Sequence, residues 1–424
     1  VFILYSALMA TSLLLTSPYW VVQMLRLGKY RAGLAERFGR VPGRIRTDDL
    51  RPAIWIHAVS VGEVLAISGL VAALRQAMPG YRILVSTTTH TGQKLARERF
   101  GSENVFYFPL DFGLCIRPYV KALCPALVVV AETEFWPNFL RILRSSGARV
   151  AVVNARISDR SFPRYRRWRS LLSHVLRYVD LFLAQSEEDA RRLREIGAQT
   201  DRVQVSGNLK FDVKPPEEAP VVAEVRQAIS RGGAGPVIVA GSTVEGEEEQ
   251  VVASFNKTRE QYPQALLILA PRHKERFAAV TEILSRSGVT FVLRSAMNRE
   301  SSLTGSVLLL DTLGELAAVY ALADIAFVGG SLVPRGGHNI LEPAHWGVAT
   351  VVGPHTENFR DIIGIFRRTN AVRVAQPEHL ADVLLELLRN DEDRCGLGLR
   401  ARKVVEEQMG ATQRTLDALR ALIQ

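Results

Sequence analysis

Several short stretches bring together residue types that could do acid–base or anion-binding chemistry. Ser60-Val61-Gly62-Glu63 puts a carboxylate three residues after a serine, where Gly62 permits a tight turn and a helix begins. Two roles fit Glu63: a helix-start cap stabilised by the dipole, or a general base that takes a proton from an attacking hydroxyl. Glu132-Thr133-Glu134 sets two carboxylates around a threonine, between the apolar run Val128–Ala131 and Phe135-Trp136-Pro137-Asn138. Alternate residues of an extended chain share a face, so both carboxylates are expected to point the same way; helix-start capping is the competing account. Lys210, in Gly207-Asn208-Leu209-Lys210, offers a cation close to the middle of the chain, although most lysines are simply solvated.

The second half carries its own set. Arg272 follows Leu266–Pro271 and could grip a phosphate or carboxylate in bidentate fashion. His273 beside it has no second ligand at metal spacing. Gly241-Ser242-Thr243 can present backbone N–H groups to an anion at a helix start, but no nucleotide-binding fingerprint is completed. Glu245, Glu247, Glu248 and Glu249 are expected on a solvated helix start. The stretch from Gly329 to Pro343 holds two glycine pairs that let backbone approach a ligand, then Asn339-Ile340-Leu341-Glu342. Asn339 and Glu342 share a helix face, so Glu342 could accept from a ribose diol, form a capping box with Asn339, or both. No Asp-x-Asp follows an apolar strand, and Asp391-Glu392-Asp393 falls in a polar stretch, so a metal for a donor diphosphate is not expected.

The elements that must position these groups are short apolar runs rich in Val, Ile and Leu. They begin at Ile54, Ile83, Val105, Ala126, Val150, Leu181 and Val203, then at Val237, Ala265, Thr290, Val307, Ile325, Thr350 and Ala371. Strands apolar on both faces, alternating with helical stretches, predict parallel sheets covered by helices on each side. The Pro pair and acidic residues of Gly207–Pro220 read as a linker. The expected architecture is therefore two doubly wound α/β domains, joined near residues 212–220. In such sheets ligands bind beyond the carboxyl ends of the strands. The polar residues above all follow strands, and two such edges facing each other would form a cleft.

The chain has 424 residues, 47% hydrophobic and 23% charged, enough for large cores and too long for one ordinary domain. Lys and Arg number 53 against 43 Asp and Glu, which favours anionic partners. No nucleic-acid-binding signature is present, so membrane and phosphorylated lipid rank above nucleic acid. Arg160, Arg164, Arg166, Arg167 and Arg169 interleave with Phe162, Tyr165 and Trp168, a pattern suited either to anionic headgroups or to a solvated helix face. Cys115, Cys124 and Cys395 are too few for a disulfide framework and fit a reducing compartment. Val1 to Leu25 contains no charge, ends near Tyr19-Trp20, and is followed by Arg26, Lys29, Arg31, Arg37 and Arg40. This predicts a membrane anchor or membrane-embedded helix with the rest of the chain on the cytoplasmic side.

Taken together, HAVSVGE, AETEFWPN, NARISDRSF, GNLKFD, PRHKERF, DTLGELAAVYALADIAFVGGSLVPRGGHNILEPA and GPHTENF closely resemble the 3-deoxy-D-manno-octulosonic acid (Kdo) transferases of lipopolysaccharide assembly. The resemblance runs from the apolar N-terminal segment to the last helix. It implies a GT-B glycosyltransferase fold: residues 1–27 as anchor, 28–213 as acceptor-binding domain, 214–399 as CMP-sugar-binding domain, and 400–424 as a helix returning to the first domain. It implies CMP-Kdo as donor, a phosphorylated lipid A precursor as acceptor, inner-membrane lipids as surroundings, and neither cofactor nor metal. By residue, Glu63 matches the family's catalytic base, and Glu132 and Lys210 match positions that support the transition state. Pro271 and Arg272, Leu313, Gly314 and Glu315, and Asn339, Ile340, Leu341 and Glu342 match its CMP-binding segments. The competing readings are a nucleotide-sugar epimerase or hydrolase on the same fold, or a non-catalytic membrane scaffold.

Overall fold

In the computed structural model, which describes residues 2–27, 32–46, 49, 51–213 and 219–423, the apolar runs form fourteen strands in two sheets. The first sheet comprises β1 (Ala53–His57), β2 (Arg82–Thr87), β3 (Val105–Tyr107), β4 (Pro125–Ala131), β5 (Arg149–Ala155), β6 (Leu181–Ala184) and β7 (Val203–Val205). Its order is β3-β2-β1-β4-β5-β6-β7, every neighbouring pair parallel. The second comprises β8 (Val237–Thr243), β9 (Leu266–Pro271), β10 (Phe291–Leu293), β11 (Val307–Leu309), β12 (Ile325–Val328), β13 (Ala349–Val352) and β14 (Arg373–Val374). Its order is β10-β11-β9-β8-β12-β13-β14, again all parallel.

The period-two pattern explains the layers. In β1, Ala53 and Trp55 enter one apolar core while Ile54 and Ile56 enter the core on the opposite face. In β8, Ile238 and Ala240 face one core and Val237 and Val239 the other. The central strands of both sheets are thus buried on both faces, the doubly wound α/β arrangement expected of a GT-B chain. Strand order reverses between β1 and β4 in the first sheet and between β8 and β12 in the second. A doubly wound sheet opens its ligand crevice at that point.

The chain divides into two compact units, residues 1–213 with 408–424, and residues 214–407. Residues 400–407 belong to the second unit, where they continue the helix Asp391–Gln408. Only the helix Ala411–Ile423 returns to the first unit, burying Leu416 and Leu419 in the core beside β1. Asp212 caps that helix, accepting from Gly410 N at 2.7 Å and from Thr412 N.

The N-terminal helix α1 (Phe2–Leu27) contains a 19-residue stretch, Phe2–Trp20, long and apolar enough to cross a membrane, and none of it is buried. Its hydroxyls bond locally: Thr16 Oγ1 donates to Ser12 O at 2.8 Å and accepts from Trp20 Nε1 at 3.0 Å. Its first turn touches the first unit, where Asn138 Nδ2 donates to Ser6 Oγ at 2.9 Å and Arg141 lies 4.6 Å above the Phe2 ring. Of the predicted basic flank and linker, Lys29, Arg31 and residues 214–218 lie outside the described residues.

Candidate active site

Helix α2 (Val61–Ala77) starts directly beyond β1, so Glu63 sits in its first turn. Its carboxylate turns back on the loop, accepting from Val59 N at 2.8 Å and from Ser60 Oγ at 2.9 Å. Thr88 and Thr89 N–H groups both donate to Val59 O and hold that loop. The capping geometry and a chemical role are compatible, because the hydrogen bonds fix the rotamer. Glu63 is only 9% exposed. Burial, reinforced by the charges of Glu132 and Glu134, pushes its titration up to about 7, against the opposing donors of Val59 and Ser60. A carboxylate titrating near neutrality is poised for general-base work.

Glu132 stands just beyond β4, across the switch point from Glu63. The extended-chain argument for Glu132 and Glu134 does not hold: residues 132–133 form a turn, and Glu132 adopts φ 56. Such a conformation is disfavoured for a residue with a Cβ and is maintained by its surroundings. Here Glu132 N donates to Val153 O at 2.9 Å. Both carboxylates nevertheless bear on Glu63. Glu134 itself is raised, by burial first and then by the Glu132 charge. Neither caps the helix that follows. That role falls to Asp111, 2% exposed, which accepts from Asn138 N at 3.1 Å and Phe139 N at 2.7 Å. Asp111 is pushed up to about 7 by burial. Sequence reasoning missed it, because a lone Asp near the end of a strand reads as surface.

Lys210 reaches Glu132, Nζ to Oε1 at 3.3 Å, with both side chains about a quarter exposed (24% and 27%). It is not a freely solvated lysine. His57, at the end of β1, is by contrast a core residue: fully buried, stacked on Phe108 at 3.9 Å, and depressed to about 3 by desolvation, hence neutral. The arginines 160, 164, 166, 167 and 169 are all exposed on the two short helices Phe162–Arg167 and Arg169–Leu176 and the loop before them, with Trp168 57% exposed.

In the second unit, Arg272 follows β9, its N–H donating to Thr243 O at 2.8 Å. Asn339 Nδ2 donates to Glu342 Oε1 at 3.2 Å, and Asn339 Oδ1 accepts from Leu341 N at 3.2 Å, so the predicted pair forms at the helix start. Ile340 and Leu341 are buried beneath it. Glu342 is raised by burial, opposed by Asn339 and by the Arg272 charge. His338 is lowered to about 4 by desolvation and the charges of Arg272 and His273, and is neutral. The structure therefore groups Arg272, His273, His338 and Glu342. Pro271 is buried as the last residue of β9, a support for the loop. Leu313 is 69% exposed and Gly314 takes φ 88. Glu315 is bound by Thr312 Oγ1 and by Arg294 at 3.3 Å.

One expectation fails here. Glu247 and Glu248 are fully buried, not solvated. Glu247 accepts from Val244 N at 3.1 Å, Gly330 N at 2.6 Å, Ser331 N at 2.8 Å and Leu332 N at 2.7 Å. These N–H groups, from Val244 and from the glycine-rich stretch after β12, are taken by a carboxylate of the chain itself. Glu248 pairs with Arg276 at 3.2 Å. Among the described residues, no three His, Cys, Asp or Glu side chains converge as metal ligands.

Two doubly wound units, each with polar and charged residues beyond the carboxyl ends of its strands, have the GT-B architecture. Residues 32–213 match the family model described as 3-Deoxy-D-manno-octulosonic-acid transferase (kdotransferase). The chain is 36% identical over 403 residues to the 3-deoxy-D-manno-octulosonic acid transferase of Haemophilus influenzae, covering 93% of this chain and 92% of that protein. It is 35% identical over 404 residues to the Bordetella pertussis enzyme of the same name, covering 92% of each. The fold is similar to that of Anabaena HepE in complex with UDP, with TM-score 0.59 and 13% identity over 88% of this chain and 99% of that one. The chain belongs to the Kdo transferase family.

Proposed function

We propose that this Kdo transferase takes Kdo from CMP-Kdo and joins it, with inversion at the anomeric carbon, to a sugar hydroxyl of a phosphorylated lipid A precursor. The observation that carries this reading is Glu63, a buried carboxylate whose titration is lifted to about 7 beside the switch point of the first sheet. As a carboxylate it accepts the acceptor's hydroxyl proton. The acceptor oxygen forms its bond to the anomeric carbon as the bond to the CMP phosphate oxygen breaks, and that electron pair leaves with CMP. Lys210 and Glu132 shape the field around the reacting centre, and preorganised charge of this kind is commonly the largest catalytic contribution.

The first unit is the acceptor side and the second the donor side. Arg272 meets the CMP phosphate, Glu342 the ribose, and the segments Leu313–Glu315 and Asn339–Glu342 frame the nucleotide. A monophosphate leaving group needs less charge compensation than a diphosphate, so transfer runs without a divalent cation. Helix α1 anchors the chain in the inner membrane from the cytoplasmic side, and the exposed arginines between 160 and 169 face anionic headgroups or the acceptor's phosphates.

The test is mass spectrometry of a tetraacylated lipid A precursor after incubation with purified protein and freshly made CMP-Kdo, with and without EDTA. A gain of one or more Kdo units in both tubes is the expected result. Unchanged lipid with folded protein would reject the acceptor, and gain only without EDTA would reject metal independence. Consumption of CMP-Kdo without lipid product would favour hydrolysis.

A further inference from the structure

We propose that Asn154 is a positioning residue that sets Lys210 against Glu132, with Gln185 and Asn208 completing the brace. The inference rests on the reading of Lys210 as a cation acting in transfer. Strands β4, β5, β6 and β7 are neighbours in the first sheet; Asn154 is the penultimate residue of β5, and the loops beyond β4, β6 and β7 carry Glu132, Gln185 and Asn208 with Lys210. Their polar groups form a closed circuit. Asn154 Oδ1 accepts from Leu209 N at 3.0 Å, and Asn154 O accepts from Gln185 Nε2 at 3.0 Å. Gln185 Oε1 accepts from Asn208 Nδ2 at 2.9 Å, and Asn208 Oδ1 accepts from Lys210 N at 3.0 Å. Leu209 N is thus held by Asn154 of β5, and Lys210 N by Asn208 of its own loop, which Gln185 in turn fixes.

The same point of β5 also holds the other half of the ion pair. Glu132 N donates to Val153 O at 2.9 Å, one residue before Asn154. Glu132 and Lys210 are therefore both referenced to residues 153–154, and their 3.3 Å contact follows from that common reference. Asn154 is 1% exposed and takes φ 52, a left-handed conformation that Asn tolerates better than most residues. Lysine has a flexible stem and no planar fork, so its placement depends on where its backbone is fixed.

The experiment is a double-mutant cycle in the full-length protein, read by steady-state Kdo transfer, with melting temperatures recorded for each variant. Asn154→Gly keeps access to the left-handed backbone while removing the acceptor for Leu209. We expect it to lower kcat by about tenfold with KM for CMP-Kdo changed less than about threefold. In a Lys210→Ala background the same change should cost less than about twofold, because nothing remains to position. Asn208→Ala should behave alike, which guards against one variant folding poorly. In both single variants the acid limb of kcat should move to higher pH, as Glu132 loses its counter-charge near Glu63. Equal cost with and without Lys210, or wild-type kcat in both variants, would overturn the proposal. Wild-type turnover by Lys210→Ala would remove Lys210 from the proposed site, and the inference with it, while leaving transfer itself established by the unmodified enzyme.

Discussion

Replacing Glu63 by Gln should abolish turnover and stabilise the protein at the same time. Glu63 is raised from 4.5 to about 7 chiefly by burial, and holding its charged form in that environment corresponds to roughly 3 kcal/mol. Because the folded-state value lies above the unfolded one, the protonated acid is the form the fold prefers. The contribution is fully present below 4.5, is lost as pH rises through about 7, and stays lost above it. Glutamine is neutral throughout and can still accept from Val59 N through its carbonyl oxygen. Near pH ~4.5 the variant and the parent should therefore melt alike. At pH ~8 E63Q should be more stable by up to about 3 kcal/mol, several degrees in the transition of a unit of this size. Thermal unfolding across that pH range measures it directly. The parent's kcat should fall about tenfold per pH unit below neutrality, as the base protonates. A stability difference that does not change with pH, or kcat flat from pH ~5.5 to ~8, would refute the account of Glu63 as a buried base titrating near neutrality.

Other consequences are open to simpler tests. Glu132→Gln removes a charge that raises Glu63, so the acid limb of any residual kcat should move to lower pH, read from the rate profile. Glu247→Ala would leave four N–H donors of the second unit without their carboxylate and should cost about 3 kcal/mol or more in urea unfolding, whereas a surface glutamate would cost under about 0.5. Arg272→Ala should raise KM for CMP-Kdo by roughly tenfold to a hundredfold through lost charge-assisted contacts, with the melting temperature unchanged since the side chain is exposed. Deleting residues 2–20 should shift the protein from the membrane pellet to the supernatant in cell fractionation.

Much of this was legible in sequence because it is repetitive physics. Central strands buried on both faces are apolar at most positions, and all fourteen runs form strands, the edge strands β7, β10 and β14 being partly exposed. Glu63 was legible because a carboxylate one turn into a helix, directly after such a strand, has few places to go. What escaped were features set by long-range partners. Glu245 to Glu249 looks like any solvated helix start, and nothing local says that Glu247 will meet backbone from residues 330–332, over eighty positions away. The sequence suggests only that Glu132 and Glu134 share a face of extended chain; that both bear on Glu63 is not legible there. A left-handed turn at Glu132 produces it, and such a turn at a non-glycine residue leaves no compositional mark.

The two switch points have been put to different uses. In the first sheet the reversal between β1 and β4 is flanked by Glu63 and Glu132, one buried and titrating near neutrality, the other paired with a lysine. In the second, the reversal between β8 and β12 is filled by Glu247, which gathers N–H groups from both loops. A Cβ at Gly329 would lie 2.6 Å from Ser242 O and 2.9 Å from the Glu247 carboxylate, so the loops close directly onto each other there. That plug costs the second unit a ready anion nest. In exchange it makes a rigid floor from four charge-assisted hydrogen bonds. In the proposed donor site, the polar groups beside this floor are Arg272, His273, His338 and Glu342. His338 is neutral at neutral pH, lowered to about 4 by desolvation, and Glu342 is raised by burial against the opposing Asn339 and Arg272. With His338 neutral, the proposed donor phosphate relies on the Arg272 guanidinium, so Arg272→Ala is expected to weaken donor binding more than His338→Ala does.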